Sequence, residues 1–153
     1  MQDLELCELF EGPFAAGEPE NSAIDEASGL AVSRAYPGHV WTHNDSGDFN
    51  RIFLIGPDAE DAGTFCIEPS GNRNWEDMAI GPGPAVGINY LYIADIGDNG
   101  SQYDVNRIFR FPEPSLADRD ASGGMISIVG AEMIQFRYPD GMKDAETLMI
   151  DPG

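Results

Sequence analysis

Apolar residues along the chain fall into short runs that alternate with polar ones, each closed by Gly, Pro, Asn or Asp. Short runs enriched in β-branched and aromatic side chains and bounded by turn residues are the pattern of strands. The runs predict strands at LELCELF (4–10), GLAVS (29–33), HVWTH (39–43), RIFLI (51–55) and TFCIE (64–68). A second series follows at DMAIG (77–81), YLYIAD (90–95), RIFRF (107–111), MISIV (125–129) and EMIQFRY (132–138). No segment carries an apolar stripe at helical spacing, and 58–63 and 115–124 read as loops. The predicted class is all-β.

The runs also repeat. SGLAV (28–32), EDMAI (76–80) and ETLMI (146–150) superpose as a small or acidic residue, a polar residue or Gly, then three apolar residues. An offset of fifty aligns Asp45-Ser-Gly-Asp48 with Asp95-Ile-Gly-Asp98, and Arg51-Ile-Phe53 then aligns with Arg107-Ile-Phe109 after a six-residue surplus. A unit of roughly 50 residues with four antiparallel strands is the blade of a β-propeller. On that reading residues 1–153 form a partial propeller domain. Strand 4–10 is an outer strand that closes the ring, 28–74 and 76–142 are the first and second blades, and 144–153 begins a third. Two blades leave radial faces uncovered. The expectation is therefore the N-terminal half of a larger, six-bladed ring, or a half-ring completed by self-association.

The segments EASGLAVS, WTHNDSGD, NWEDMAIGPG, YIADIGDN with RIFRFPEP, and YPDGMKDAETLMIDP occur in that order across residues 24–152. Together they resemble a poorly characterised family of prokaryotic β-propeller proteins. The resemblance implies a mostly exported protein, about twice as long as this chain. In architecture alone, acidic strand starts facing a channel are similar to the six-bladed calcium-dependent gluconolactonases and β-propeller phytases.

Composition narrows the partners. With 27 Asp and Glu against 8 Lys and Arg, the net charge is −19, which disfavours nucleic acid and anionic membrane surfaces. Lys143 is the only lysine, a balance suited to a saline environment that screens self-repulsion, or to an acidic surface around a cation site. The 18 Gly and 11 Pro suit many short strands rather than a helical bundle. No apolar run reaches the ~20 residues of a membrane span, and MQDLELCELF lacks the basic start of an export signal. Cys7 and Cys66 make no CxxC pair and read as small buried hydrophobes.

In a propeller the innermost strand of each blade lines the channel. The aligned strand starts hold Ser28, Glu76 and Glu146, followed by Gly29, Asp77 and Thr147, with Asp144 just ahead of the third. Carboxylates converging on one axis raise each other's pKa unless a cation neutralises them. Glu76, Asp77, Asp144 and Glu146 are thus candidate ligands, and an all-oxygen set suits Ca2+ or Mg2+ rather than zinc. Alternatively, these acids cap strand ends. Asp45, Asp48, Asp95 and Asp98 are weaker candidates, because the Asp-x-Gly-Asp pattern also makes a hairpin turn that Arg51 and Arg107 would brace. His43 is a candidate general base near a channel mouth, or a hydrogen-bonded strand residue. No GxSxG, P-loop or GxGxxG is present. Two functions remain open: a propeller that binds a small molecule or a protein at its channel mouth, and a calcium-dependent hydrolase acting on a phosphoester or lactone.

Overall fold

The computed structural model describes residues 15, 17–118 and 124–152, so the strand expected at 4–10, with Cys7, lies outside the described residues. The described chain is all-β. Nine strands run as β1 (Ala27–Val32), β2 (Val40–Asn44), β3 (Arg51–Ile55), β4 (Asp61–Glu68), β5 (Trp75–Pro82), β6 (Asn89–Asp95), β7 (Asn106–Pro112), β8 (Ile126–Val129) and β9 (Glu132–Phe136). One 3-10 turn, Leu116–Asp118, lies where the sequence reads as a loop. No helix among the described residues is long and apolar enough to cross a membrane.

The strands form two sheets, β1-β2-β3-β4-β8 and β5-β6-β7-β9. Within each, the first four neighbours pair antiparallel, and β8 joins β4 in parallel. This corrects the expectation that MISIV belongs with the second series. The chain passes through β5, β6 and β7 before returning to the edge of β4, the long crossover that a parallel pair requires. Register explains the choice: Phe65 pairs with Ile126 and Ile67 with Ile128, placing apolar residues together.

Paired rows of side chains build one core between the sheets. From the first sheet come Ala31, Trp41 and Leu54, in register across β1, β2 and β3. Opposite them, Met78, Ile93 and Phe109 form one row and Ile80, Leu91 and Phe111 another. Trp41 meets Phe65 edge-on at 5.2 Å. Burying each such aromatic or large aliphatic side chain contributes about 1.5–3 kcal/mol.

Polar ties fix how the sheets meet. The Ser28 hydroxyl donates to the Glu76 carbonyl at 2.7 Å. Glu113, just past β7, accepts from the Ser33 hydroxyl at 2.6 Å, from the Arg34 and Ala35 amides at 3.1 Å each, and from Trp41 Nε1 at 3.0 Å. Gly29 lets β1 and β5 approach: a Cβ there would lie 2.5 Å from His43 Nε2 and 2.6 Å from the Met78 nitrogen. The edge strands β1 and β5 therefore run against each other, with their starts at one end. Residues 142–152, including the strand expected at 146–150, carry no regular secondary structure. They lie along β5 instead, with the Ala145 amide on the Ile96 carbonyl at 3.4 Å and Ile150 against Gly81.

Candidate metal centre

Strands β1 and β5 both begin with an irregular step. Trp75 pairs with Asp95 and Asp77 with Ala94, leaving Glu76 as an extra residue; β1 shows the same break between Ala27 and Leu30. Such a bulge re-aims the side chain of the unpaired residue. At Glu76 it brings the carboxylate to the turn after β6, where a side chain at Gly97 would collide with Glu76 and Asn74.

Asp144 and Glu146 arrive at the same place from the segment after β9. One carboxylate oxygen from each of Glu76, Asp144 and Glu146 lies within 4.8 Å of the others. Glu76 is half-buried, and the other two are exposed. Burial, a hydrogen bond with Glu146 and the charges of Asp45, Glu146 and Asp144 push the Glu76 carboxyl up to about 7. Asp144 is held in place by the Asp98 amide at 2.6 Å and the Asn99 side-chain amide at 2.8 Å, which keep it below the usual carboxylate range. Each carboxylate retains lone pairs for a further partner. Three oxygen donors with one open side suit a hard divalent cation.

Asp77 does something else. Its two oxygens accept the Met78 and Leu148 amides at 2.8 Å each, so it fastens the 145–150 segment to β5 beside the carboxylate group.

The Asp-x-Gly-Asp residues serve the turns. Arg51 holds Asp48 with two nitrogens, at 2.7 and 2.8 Å, while Asn44 adds a bond at 2.9 Å. Burial opposes ionisation of Asp48, and Arg51 with the Phe49 amide outweighs it, leaving the pKa lowered. Asp98 caps the Gln102 and Tyr103 amides at 2.7 and 2.9 Å. Asp45 accepts the Ser46 amide, and its charge reaches Glu76. Asp95 is fully buried; burial raises its pKa against the Asn74 amide at 2.9 Å and the Arg73 and Arg107 guanidinium groups at 3.7 Å.

The offset of fifty needs correction. Thr42 pairs with Leu30 as Ile93 pairs with Met78, and Asn44 pairs with Ala27 as Asp95 pairs with Trp75. The equivalent of Asp95 is thus Asn44, at an offset of fifty-one. The Glu26 amide donates to Asn44 Oδ1 at 3.4 Å as the Asn74 amide donates to Asp95 Oδ1. The motif alignment followed the turn, and one residue's slip in a strand exchanges its faces.

His43 lies in the core, with its Nε2 beside Gly29 of β1. It is 0% exposed, with Nδ1 against the Asn44 carbonyl at 2.8 Å and its ring edge-on to Trp75 at 5.6 Å. Burial lowers its pKa. A residue so enclosed cannot reach a substrate, which removes it as a general base. Trp75, equally buried, belongs to the core. Sequence reasoning missed Glu113 and Asn74, and gave Gly97 only as a turn residue of Asp95-Ile-Gly-Asp98.

No family model matches the sequence, and no curated protein and no solved structure matches it either.

Proposed function

We propose that the chain is part of a β-propeller that binds a divalent cation, calcium in preference to magnesium, where its innermost strands begin, and uses that end for a ligand. The observation that carries this reading is the meeting of Glu76, Asp144 and Glu146, contributed by two successive repeat starts. The propeller reading is supported by the succession itself: β5 lies along β1, and the 145–150 segment lies along β5. Calcium is preferred because its 6–8 oxygen ligands tolerate an irregular cage completed by water, whereas magnesium demands a tight octahedron. Binding is preferred to hydrolysis because His43, the base the sequence offers, is enclosed in the core.

The test is thermal unfolding of the 153-residue chain with Ca2+, with Mg2+ and with chelator. A ligand specific to the native state adds RT ln(1 + [L]/Kd), about 2.7 kcal/mol at a hundredfold excess. Calcium should raise the midpoint, magnesium less so, and Glu76→Gln should abolish the response. If calcium leaves the wild-type midpoint where chelator does, these acids are strand caps. Turnover of phosphoesters or lactones that requires Ca2+ would favour the hydrolase instead.

A further inference from the structure

The turn after β6 holds the only asparagine in the chain that is followed by glycine, Asn99-Gly100. Residues 98–101 close a β-turn, with the Ser101 amide on the Asp98 carbonyl at 2.8 Å. Asn99, Gly100 and Ser101 are exposed. The amides around them are taken: that of Asp98 by Asp144, and those of Gln102 and Tyr103 by Asp98. The Gly100 amide bonds to nothing among the described residues. Lacking a Cβ, glycine also leaves that nitrogen sterically open to the side chain before it.

We propose that Asn99 is a site of spontaneous deamidation, and that the loss of its side-chain amide recharges the carboxylate group of Glu76, Asp144 and Glu146. The Gly100 nitrogen attacks Asn99 Cγ and closes a succinimide ring. The Cγ–Nδ2 bond breaks, and ammonia leaves with the proton of the Gly100 amide. Water then opens the ring, its hydroxyl adding to either ring carbonyl and its proton to the nitrogen, which gives aspartate or isoaspartate.

The consequence follows from what Asn99 touches. Its Nδ2 donates to Asp144 Oδ2 at 2.8 Å. Either product removes that donor. The aspartate product also sets a carboxylate against Asp144, where three acids already converge. A divalent cation relieves that repulsion and gains a further oxygen donor. The effect on cation binding rests on the cation reading above; the deamidation itself does not. Gly100 offers a clean block: its φ is not left-handed, and a Cβ there meets first the side chain of Gln102, which is free to move aside.

Peptide mapping by mass spectrometry tests the chemistry on the folded 153-residue chain aged in mildly alkaline buffer. The Asn99 peptide should show the mass of an amide-to-acid exchange and split into aspartate and isoaspartate forms, while the other asparagines stay intact. Gly100→Ala should slow the exchange about tenfold with circular dichroism unchanged. An Asn99 that converts no faster than the other asparagines overturns the proposal, and so does a Gly100→Ala chain that converts at the wild-type rate. Thermal unfolding reads the consequence. In chelator, Asn99→Asp should melt below Asn99→Ala, which loses the same hydrogen bond without adding a charge; equal midpoints overturn the recharging. Ca2+ should then lift Asn99→Asp more than wild type. Calcium that moves neither protein removes the cation reading and leaves the modification to the peptide map. Calcium that lifts both equally keeps the cation and overturns the recharging.

Discussion

Glu76 and His43 are buried by the same junction of β1 with β5, yet their protons push stability in opposite directions. The Glu76 carboxyl, at about 7 in the native chain against an ordinary 4.5, keeps a proton that the unfolded chain releases across that range. Native stability attributable to it therefore falls as pH rises from about 4.5 to about 7 and then levels. His43 has its pKa lowered by burial, so the unfolded chain binds the extra proton below the ordinary 6.5 and stability rises with pH there. A melting curve of wild type alone mixes the two. The difference between wild type and Glu76→Gln isolates the first: wild type should lose midpoint relative to the variant between pH 5 and about 7. Saturating Ca2+ should flatten that difference, because a bound cation replaces the proton. Parallel pH profiles for the two proteins would show that Glu76 is an ordinary solvated acid.

Strands and sheets show how much of the fold could be read in advance, and where the limit lay. Short runs rich in β-branched and aromatic residues located the nine strands of the described residues within a few residues, because strand propensity and turn signals are local, whereas the run at 146–150 forms no strand. Partner choice is not local. MISIV looks the same whether it completes the second sheet or crosses to β4, and the pairing of Ile126 and Ile128 with Phe65 and Ile67 decides it. Of the candidate acids, Glu76, Asp144 and Glu146 do come together, because all three lie at or just before the aligned strand starts. Asp77, one position along, is drawn off to Leu148, and no composition argument distinguishes the two roles. The tie made by Glu113 was equally invisible, since its four donors lie 72 to 80 residues away. That tie gives an element-scale prediction. Glu113→Ala strands the indole nitrogen of the fully buried Trp41 and frees the β1–β2 turn, at a loss of roughly 2–3 kcal/mol. Glu113→Gln keeps an acceptor and should lose about half as much. Urea unfolding measures both, and an unchanged midpoint in the alanine variant would mean that water replaces the carboxylate without penalty.

The whole molecule carries its charge unevenly balanced. Six of the eight Lys and Arg residues already lie no farther than 3.7 Å from a carboxylate: Arg51, Arg73, Arg107, Arg110, Arg137 and Lys143. Those six cations draw on five carboxylates, Asp48, Asp95, Asp104, Glu132 and Asp140, while acids such as Glu18, Glu20, Asp25, Glu26, Asp58 and Asp61 are exposed, and the net charge of −19 must be carried by the compact state. Self-repulsion of this kind acts between exposed charges many ångströms apart, the regime in which dissolved salt screens best. The exposed ion pairs weaken with salt as well, but each is worth at most about 1 kcal/mol. Repulsion among the unpaired acids outweighs them, so added NaCl should raise the melting midpoint. The rise should be steepest below about 0.1 M, where the Debye length shrinks from ~30 Å to ~10 Å, and shallower beyond. Chloride salts of sodium and potassium should behave alike, since screening depends on ionic strength and not on the ion. CaCl2 at matched ionic strength should exceed both in wild type and match them in Glu76→Gln, because the specific site adds to screening only where its ligands are intact. A midpoint that falls with NaCl would mean that the ion pairs, and not the unpaired acids, dominate the electrostatics of this fold.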